Sequence, residues 1–231
     1  MSNLYYNCYN LEYPDIERLE IASSTKDMSY MFYNCKKLKS LNLTNFSTSY
    51  ATDMQFMFYN CRQLQTLDIS TFNARLSTST ESMFENCLVL SSLKFTYFET
   101  NAIKNMRNMF KNCEKLTRLE LTRFKTQNVE SMFGMFNNCK ALASLQLPYF
   151  DTSQVTNMES MFENCIALTE LDLKAFKANN LEKANNMFKD CYNLTKITFN
   201  IFDTSKVDDM KNMFYSYTFS GPFQFLKKYQ L

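Results

Sequence analysis

Phe150-Asp151-Thr152-Ser153-Gln154-Val155-Thr156-Asn157-Met158-Glu159-Ser160-Met161-Phe162-Glu163-Asn164-Cys165-Ile166-Ala167-Leu168-Thr169-Glu170-Leu171-Asp172-Leu173-Lys174-Ala175-Phe176 contains two hydrophobic periods in succession. As far as Cys165 the apolar residues Val155, Met158, Met161, Phe162 and Cys165 recur at three- and four-residue steps, which predicts a short helix or 3-10 turn. Asp151, Thr152 and Ser153 precede it as N-cap oxygens. From Leu168 the pattern becomes Leu-x-x-Leu-x-Leu, so Leu171 and Leu173 alternate with polar neighbours as in a half-buried strand. Neither piece can bury its apolar face alone. Neighbouring units of the same kind must therefore stack and share a core.

The rest of the chain supplies those units. Met-Phe recurs at 31, 57, 83, 109, 135, 161, 187 and 213, every 26 residues without insertion. A cysteine lies four residues after each of the first seven methionines, from Cys35 to Cys191, and is preceded by Asn34, Asn60, Asn86, Asn112, Asn138, Asn164 or Asp190. A closing aromatic ends each unit, from Phe46 to Phe202. Such in-register repetition predicts an α/β solenoid of the leucine-rich-repeat kind, with one short parallel strand and one short helical or 3-10 turn per 26-residue coil. Its crossovers should make a right-handed superhelix. Expected strands run from Leu41–Leu43 through Ile197–Phe199 in one parallel sheet.

The unit Met-Phe-x-Asn-Cys-x-x-Leu-x-x-Leu-x-Leu, followed by Phe150-Asp151-Thr152-Ser153-Gln154-Val155-Thr156-Asn157-Met158 and by Phe202-Asp203-Thr204-Ser205-Lys206-Val207, resembles the BspA-like leucine-rich repeat family, including its FDTSxVTNM…MFxNC branch. The resemblance covers about residues 28 to 214. It implies a surface-exposed or secreted protein used in adhesion and in binding a protein or glycan. The opening residues Met1 to Tyr6 lack a positively charged segment followed by a long apolar core. On that ground an intracellular location is as well supported as the cell surface.

The expected organisation is a degenerate capping coil over residues 1–27, seven regular repeats over 28–214 and an aromatic cap over 215–231. In the first of these Cys8 lies 27 rather than 26 residues before Cys35, and Pro14 interrupts the following segment. In the last, Tyr217 replaces the cysteine, and Gly221-Pro222 leads into Phe223, Phe225 and Tyr229.

Composition narrows function mostly by exclusion. With no histidine, the usual general base, the serine and cysteine triads and histidine-containing zinc sites cannot be built. Two glycines, Gly134 and Gly221, cannot write a P-loop or a dinucleotide fingerprint. The reading is therefore of a protein that is not an enzyme and uses no cofactor. A net charge of +2, with both signs interspersed, gives no indication of a nucleic-acid partner. No stretch approaches the ~18 apolar residues of a membrane span. The eight cysteines recur singly, without the paired spacing of zinc ligands, and read as buried thiols with no metal role. The asparagine column reads as a structural amide ladder.

Candidate binding residues come from columns free of packing duty. The outward strand column contains Asp68, Lys94, Glu120 and Gln146, where Asp68, Lys94 and Glu120 can pair across coils. Just past the strands, Tyr97, Arg123 and Tyr149 fall on three consecutive coils, close enough for a guanidinium to stack between two rings. Tyrosine and arginine are enriched at binding hot spots, so Tyr97, Arg123, Tyr149, Lys94, Glu120 and Gln146 form the candidate contact surface. Tyr30, Tyr33, Phe56 and Tyr59 form a second cluster, readable as a cap contact or an interface. Two functions follow: a recognition module for a protein or glycan, or a subunit of a larger self-associating assembly.

Overall fold

A computed structural model describes residues 1–16, 19, 25–200 and 202–216. The chain is a leucine-rich-repeat solenoid, as the repeat predicts. Its core is continuous from Ile16 to Met213, and the phenylalanines of the first seven Met-Phe pairs are buried, with Phe214 half-buried. Those rings stack from Phe32 through Phe58, Phe84, Phe110, Phe136, Phe162 and Phe188 to Phe214, with centroids 5.4–5.7 Å apart and planes within 12°. Tyr5 extends the stack at its N-terminal end, 5.1 Å from Phe32.

Six strands form on one side: β1 (Thr66–Asp68), β2 (Ser92–Lys94), β3 (Arg118–Glu120), β4 (Ser144–Gln146), β5 (Glu170–Leu173) and β6 (Lys196–Phe199). They pair in parallel and in register, yet as three separate two-stranded sheets, β1-β2, β3-β4 and β5-β6. This corrects the expectation of one continuous sheet. Leu41–Leu43 also forms no strand. At the break between β2 and β3 stands Phe95, in a column that holds leucine or isoleucine in the other coils except at Phe199. Its ring packs edge-on against Phe84, Phe98, Phe110 and Phe124.

The uninterrupted ladder lies on the opposite side, in the Met-Phe segment. In the coil of Met158, the N–H groups of Met158, Ser160, Phe162 and Asn164 donate to the carbonyls of Lys183, Asn185, Met187 and Lys189 in the next coil, at 2.8–2.9 Å. Between them, Met161, Glu163 and Cys165 close turns onto Met158, Ser160 and Phe162. The same four-donor pattern recurs at every junction from Met28 to Tyr215. Asn3, Tyr5 and Asn7 continue it one residue out of step, which absorbs the 27-residue spacing of the first coil.

Of the short helix or 3-10 turn expected over 155–165, the structure has the turn. The bonds are single 3-10-type turns, and the chain takes positive φ at Ser160 (55°) and Asn164 (62°), so no helix can propagate. Each of these residues is the third in its turn, the position where a type II turn requires positive φ. The requirement explains the asparagine column, because asparagine tolerates the left-handed region better than most residues. Gly134 (φ 59°) meets it in another way, and a Cβ there would lie 2.4 Å from Asn108 Oδ1. Thr152 does not cap a helix either. Its hydroxyl donates to the carbonyl of Lys177 in the next coil and accepts from the Lys177 N–H. Buried Thr48 and Thr100 do the same for Asn73 and Lys125. Ile201 and the tail residues Tyr217, Gly221, Pro222, Phe223, Phe225 and Tyr229 lie outside the described residues.

Candidate functional site

The two internal columns serve the fold. Asn34 Nδ2 donates to Asn7 Oδ1, and the chain of amides continues from Asn60 to Asn34, Asn112 to Asn86, Asn138 to Asn112 and Asn164 to Asn138. The thiols from Cys35 to Cys191 are buried and unpaired. Each from Cys61 onward donates to a phenylalanine carbonyl of the preceding coil at 3.0–3.3 Å. Burial pushes Cys87, Cys139 and Cys191 up to about 12 and drives Cys61, Cys113 and Cys165 well above the usual thiol range. A nucleophile needs a thiolate. These thiols therefore act as polar filler. Among the described residues no group of three or more Cys, Asp or Glu is placed to hold a metal ion, and no helix is long and apolar enough to cross a membrane.

On the outer strand face, Lys94 pairs with Asp68 at 3.5 Å, Lys196 with Glu170 at 3.3 Å and Lys174 with Asp172 at 3.3 Å. Glu120 pairs with Arg118 of its own strand rather than with Lys94, because the break between β2 and β3 separates Lys94 from Glu120. These pairs are largely solvated, and each contributes at most about 1 kcal/mol. Past the strands, Tyr97 and Tyr149 are each 65% exposed and Arg123 is exposed. Among the described residues no ring or cation–π contact joins them, so the expected stack does not form; Tyr97 and Arg123 fall on opposite sides of the same break. Gln146 lines a groove of about 410 Å³ between β4 and β5, with Leu145, Pro148, Asp172 and Lys174. Tyr149 is the next residue after Pro148.

The second cluster is built more fully than the sequence suggests. Tyr6, Tyr33 and Tyr59, one per coil, stack at 4.9 and 4.8 Å with planes within 8°. Tyr30 and Phe56 stack beside them at 4.9 Å. The two rows meet at 54° to 67°, as in a herringbone. Tyr6 is 44% exposed and the other four rings are half-buried. Tyr6 and the flanking acids Asp27, Asp53, Glu81 and Glu85 were not legible in the sequence. The 27-residue offset of the first coil would have placed Tyr6 in the column of Tyr33. Burial, then Asp53, Glu81, Tyr6 and Asp27, raises the Tyr30 phenol; burial and Glu85 raise Tyr59. Burial also raises Asp53, and the like charges of Asp27 and Glu81 add to it.

Farther along, the same columns turn polar. Ser82, Asn108, Gly134, Ser160, Asn186 and Asn212 follow Phe56, while Glu85, Lys111, Asn137, Glu163 and Lys189 follow Tyr59. The charged stretch is paired internally, Lys111 with Glu85 at 3.9 Å and Lys189 with Glu163 at 3.0 Å. The stacked aromatic rows are thus confined to the first three coils, and the Tyr59 column becomes aromatic again only at Tyr215.

Comparison with known proteins assigns no activity. No curated protein matches the chain in sequence. Solved structures similar to it include a T. pallidum leucine-rich repeat protein, at 14% identity and TM-score 0.42, covering 72% of this chain. This chain spans 64% of that protein's length. A leucine-rich cell surface protein from Faecalibacterium prausnitzii is similar at 18% identity and TM-score 0.35, over 86% of this chain and 75% of the other. A leucine-rich repeat protein from Bacteroides ovatus is similar at 15% identity and TM-score 0.35, over 87% and 70%. A family model described as "Mycoplasma protein of unknown function, DUF285" matches residues 1–119 and 104–224. With nearly the whole solenoid matched, the chain belongs to the DUF285 family.

Proposed function

We propose that the chain is a non-catalytic recognition module whose contact surface is the aromatic slab of Tyr6, Tyr30, Tyr33, Phe56 and Tyr59. The observation that carries this reading is backbone conformation. Tyr30 (φ 57°) and Phe56 (φ 55°) occupy the left-handed region, at a column where every later coil has serine, asparagine or glycine. A bulky residue there costs roughly 1–2 kcal/mol. Asparagine would serve the fold better, and strain of this kind concentrates at binding and active sites. The Phe-Asp-Thr-Ser repeats, in their resemblance to the BspA-like branch, support an adhesive role of this sort.

A second contact region is favoured by the groove at Gln146 and the exposed Tyr97, Arg123 and Tyr149. The two can be separated by variants. The triple change Tyr33→Ser, Phe56→Asn, Tyr59→Ser is expected to abolish capture of a partner from an extract of the source cells. Its melting temperature should fall by only a few degrees, because each residue lies outside the buried core. The change Tyr97→Ser, Arg123→Glu, Tyr149→Ser should leave capture intact. Loss with the second variant alone would move the contact to the strand rim. A native protein that captures nothing and forms concentration-dependent oligomers in light scattering would replace recognition by self-assembly.

A further inference from the structure

We infer that the aromatic slab receives cationic side chains, arginine above all, from an extended basic segment of a partner protein. The inference rests on the slab being the contact surface and names what it contacts. The chain builds one three-part device twice for itself. Arg107 lies over the Phe133 ring at 4.8 Å and beside Glu81 at 3.8 Å. Lys39 lies over Tyr13 at 5.3 Å and holds Glu12 at 2.8 Å. In each, a ring face and a carboxylate share one cation, combining attraction to the ring quadrupole with an ion pair.

The slab has the rings and the carboxylates of this device without its cation. Asp27 and Asp53 are partners in a bridge between adjacent coils and lie close enough to Tyr30 to act on its phenol. Asp27 accepts from the Ser29 N–H and hydroxyl, and Asp53 from the Gln55 N–H and amide. Neither has a lysine or arginine partner among the described residues, whereas Glu81 and Glu85 at the far end have Arg107 and Lys111. The Met1 ammonium donates to the Asp27 carbonyl at 3.0 Å, so Asp53 is the carboxylate with no cation beside it among the described residues where the aromatic surface is broadest. Guanidinium fits this arrangement better than ammonium, being planar, weakly hydrated and able to stack while it donates to a carboxylate.

Hexa-arginine, hexa-lysine and hexa-glutamine peptides, titrated calorimetrically into the whole protein, test this directly. Hexa-arginine should bind, hexa-lysine several-fold more weakly and hexa-glutamine not at all. The double change Asp27→Asn, Asp53→Asn should weaken hexa-arginine at least tenfold. It should still fold, since Asn105 and Asn157 already occupy that column and accept the same turn bonds. A control, Glu130→Gln with Glu182→Gln, removes two carboxylates from a polar patch elsewhere and should change nothing. Equal loss in the control, or no loss with Asp27 and Asp53 neutralised, overturns the inference. If hexa-arginine fails to bind while the Tyr33, Phe56 and Tyr59 variant still loses its captured partner, the slab remains the contact surface and only its cation specificity falls. If that variant also keeps its partner, both readings fall together.

Discussion

Replacing Phe136 with alanine is expected to cost about 3–5 kcal/mol, the range for removing a buried ring from a core that cannot collapse to fill the space. Phe136 is fully buried between Phe110 at 5.6 Å and Phe162 at 5.5 Å. The backbone around it cannot close the gap, because the N–H groups of Met132, Gly134, Phe136 and Asn138 are all bonded to the next coil. Coils touch only their neighbours, so a defect in the middle also uncouples the two halves. Urea unfolding followed by circular dichroism should show a lower midpoint and a transition that broadens or splits. A single transition shifted by less than about 1 kcal/mol would mean that the ring stack is not continuous.

Stability should fall steeply above pH 9. The buried thiols from Cys35 to Cys191 have folded-state values raised by burial, to about 12 at Cys35, Cys87, Cys139 and Cys191. In the unfolded chain they ionise near the ordinary value of about 8.5. Above that pH the unfolded state has lost protons that the folded state keeps, so unfolding is favoured progressively as pH rises toward 12. Each thiol contributes up to about 1.4 kcal/mol per pH unit in that window. The raised phenols of Tyr30, Tyr33 and Tyr59 act in the same direction. Thermal melts in reductant should lose tens of degrees between pH 8 and pH 10.5. Cys113→Ala with Cys139→Ala should lose less over that interval, although it starts from a lower value. An unchanged melt at pH 10.5 would show that the thiols reach solvent in the folded protein.

The coil length, the stacked core and the buried thiols were legible because they rest on side-chain period alone, and a 26-residue repeat displays that period many times. The segment 155–165 was left open between a helix and a 3-10 turn for a physical reason. Turns closed at three-residue spacing place Met158, Met161 and Phe162 on one side much as a helix would, and only the positive φ at Ser160 and Asn164 distinguishes the two. Asparagine in a fixed column was the available signal, and it was read for its amide rather than for its backbone. The single sheet failed between β2 and β3, where the column holds Phe95, and again between β4 and β5, where it holds Leu147, so the hydrophobic pattern does not mark the breaks.

Tyr97, Arg123 and Tyr149 were correctly placed outside the core. Their mutual contact was not, because coil spacing says nothing about whether exposed side chains justify the entropy of stacking. Tyr30 and Phe56 were visible as aromatics. That they occupy strained positions required the backbone.

Amide hydrogen exchange, resolved by residue, tests the central claim most directly: the turn side that carries the aromatic slab is also the spine holding the coils together. Phe58, Phe84, Phe110, Phe136 and Phe162 each donate to the following coil at 2.9 Å, in a ladder with no break, whereas the strands pair only two by two. Their amides should exchange most slowly in the molecule, and those of Leu67, Leu93, Leu119 and Leu145 measurably faster. Slower exchange in the strands than in the Met-Phe segments would contradict the account.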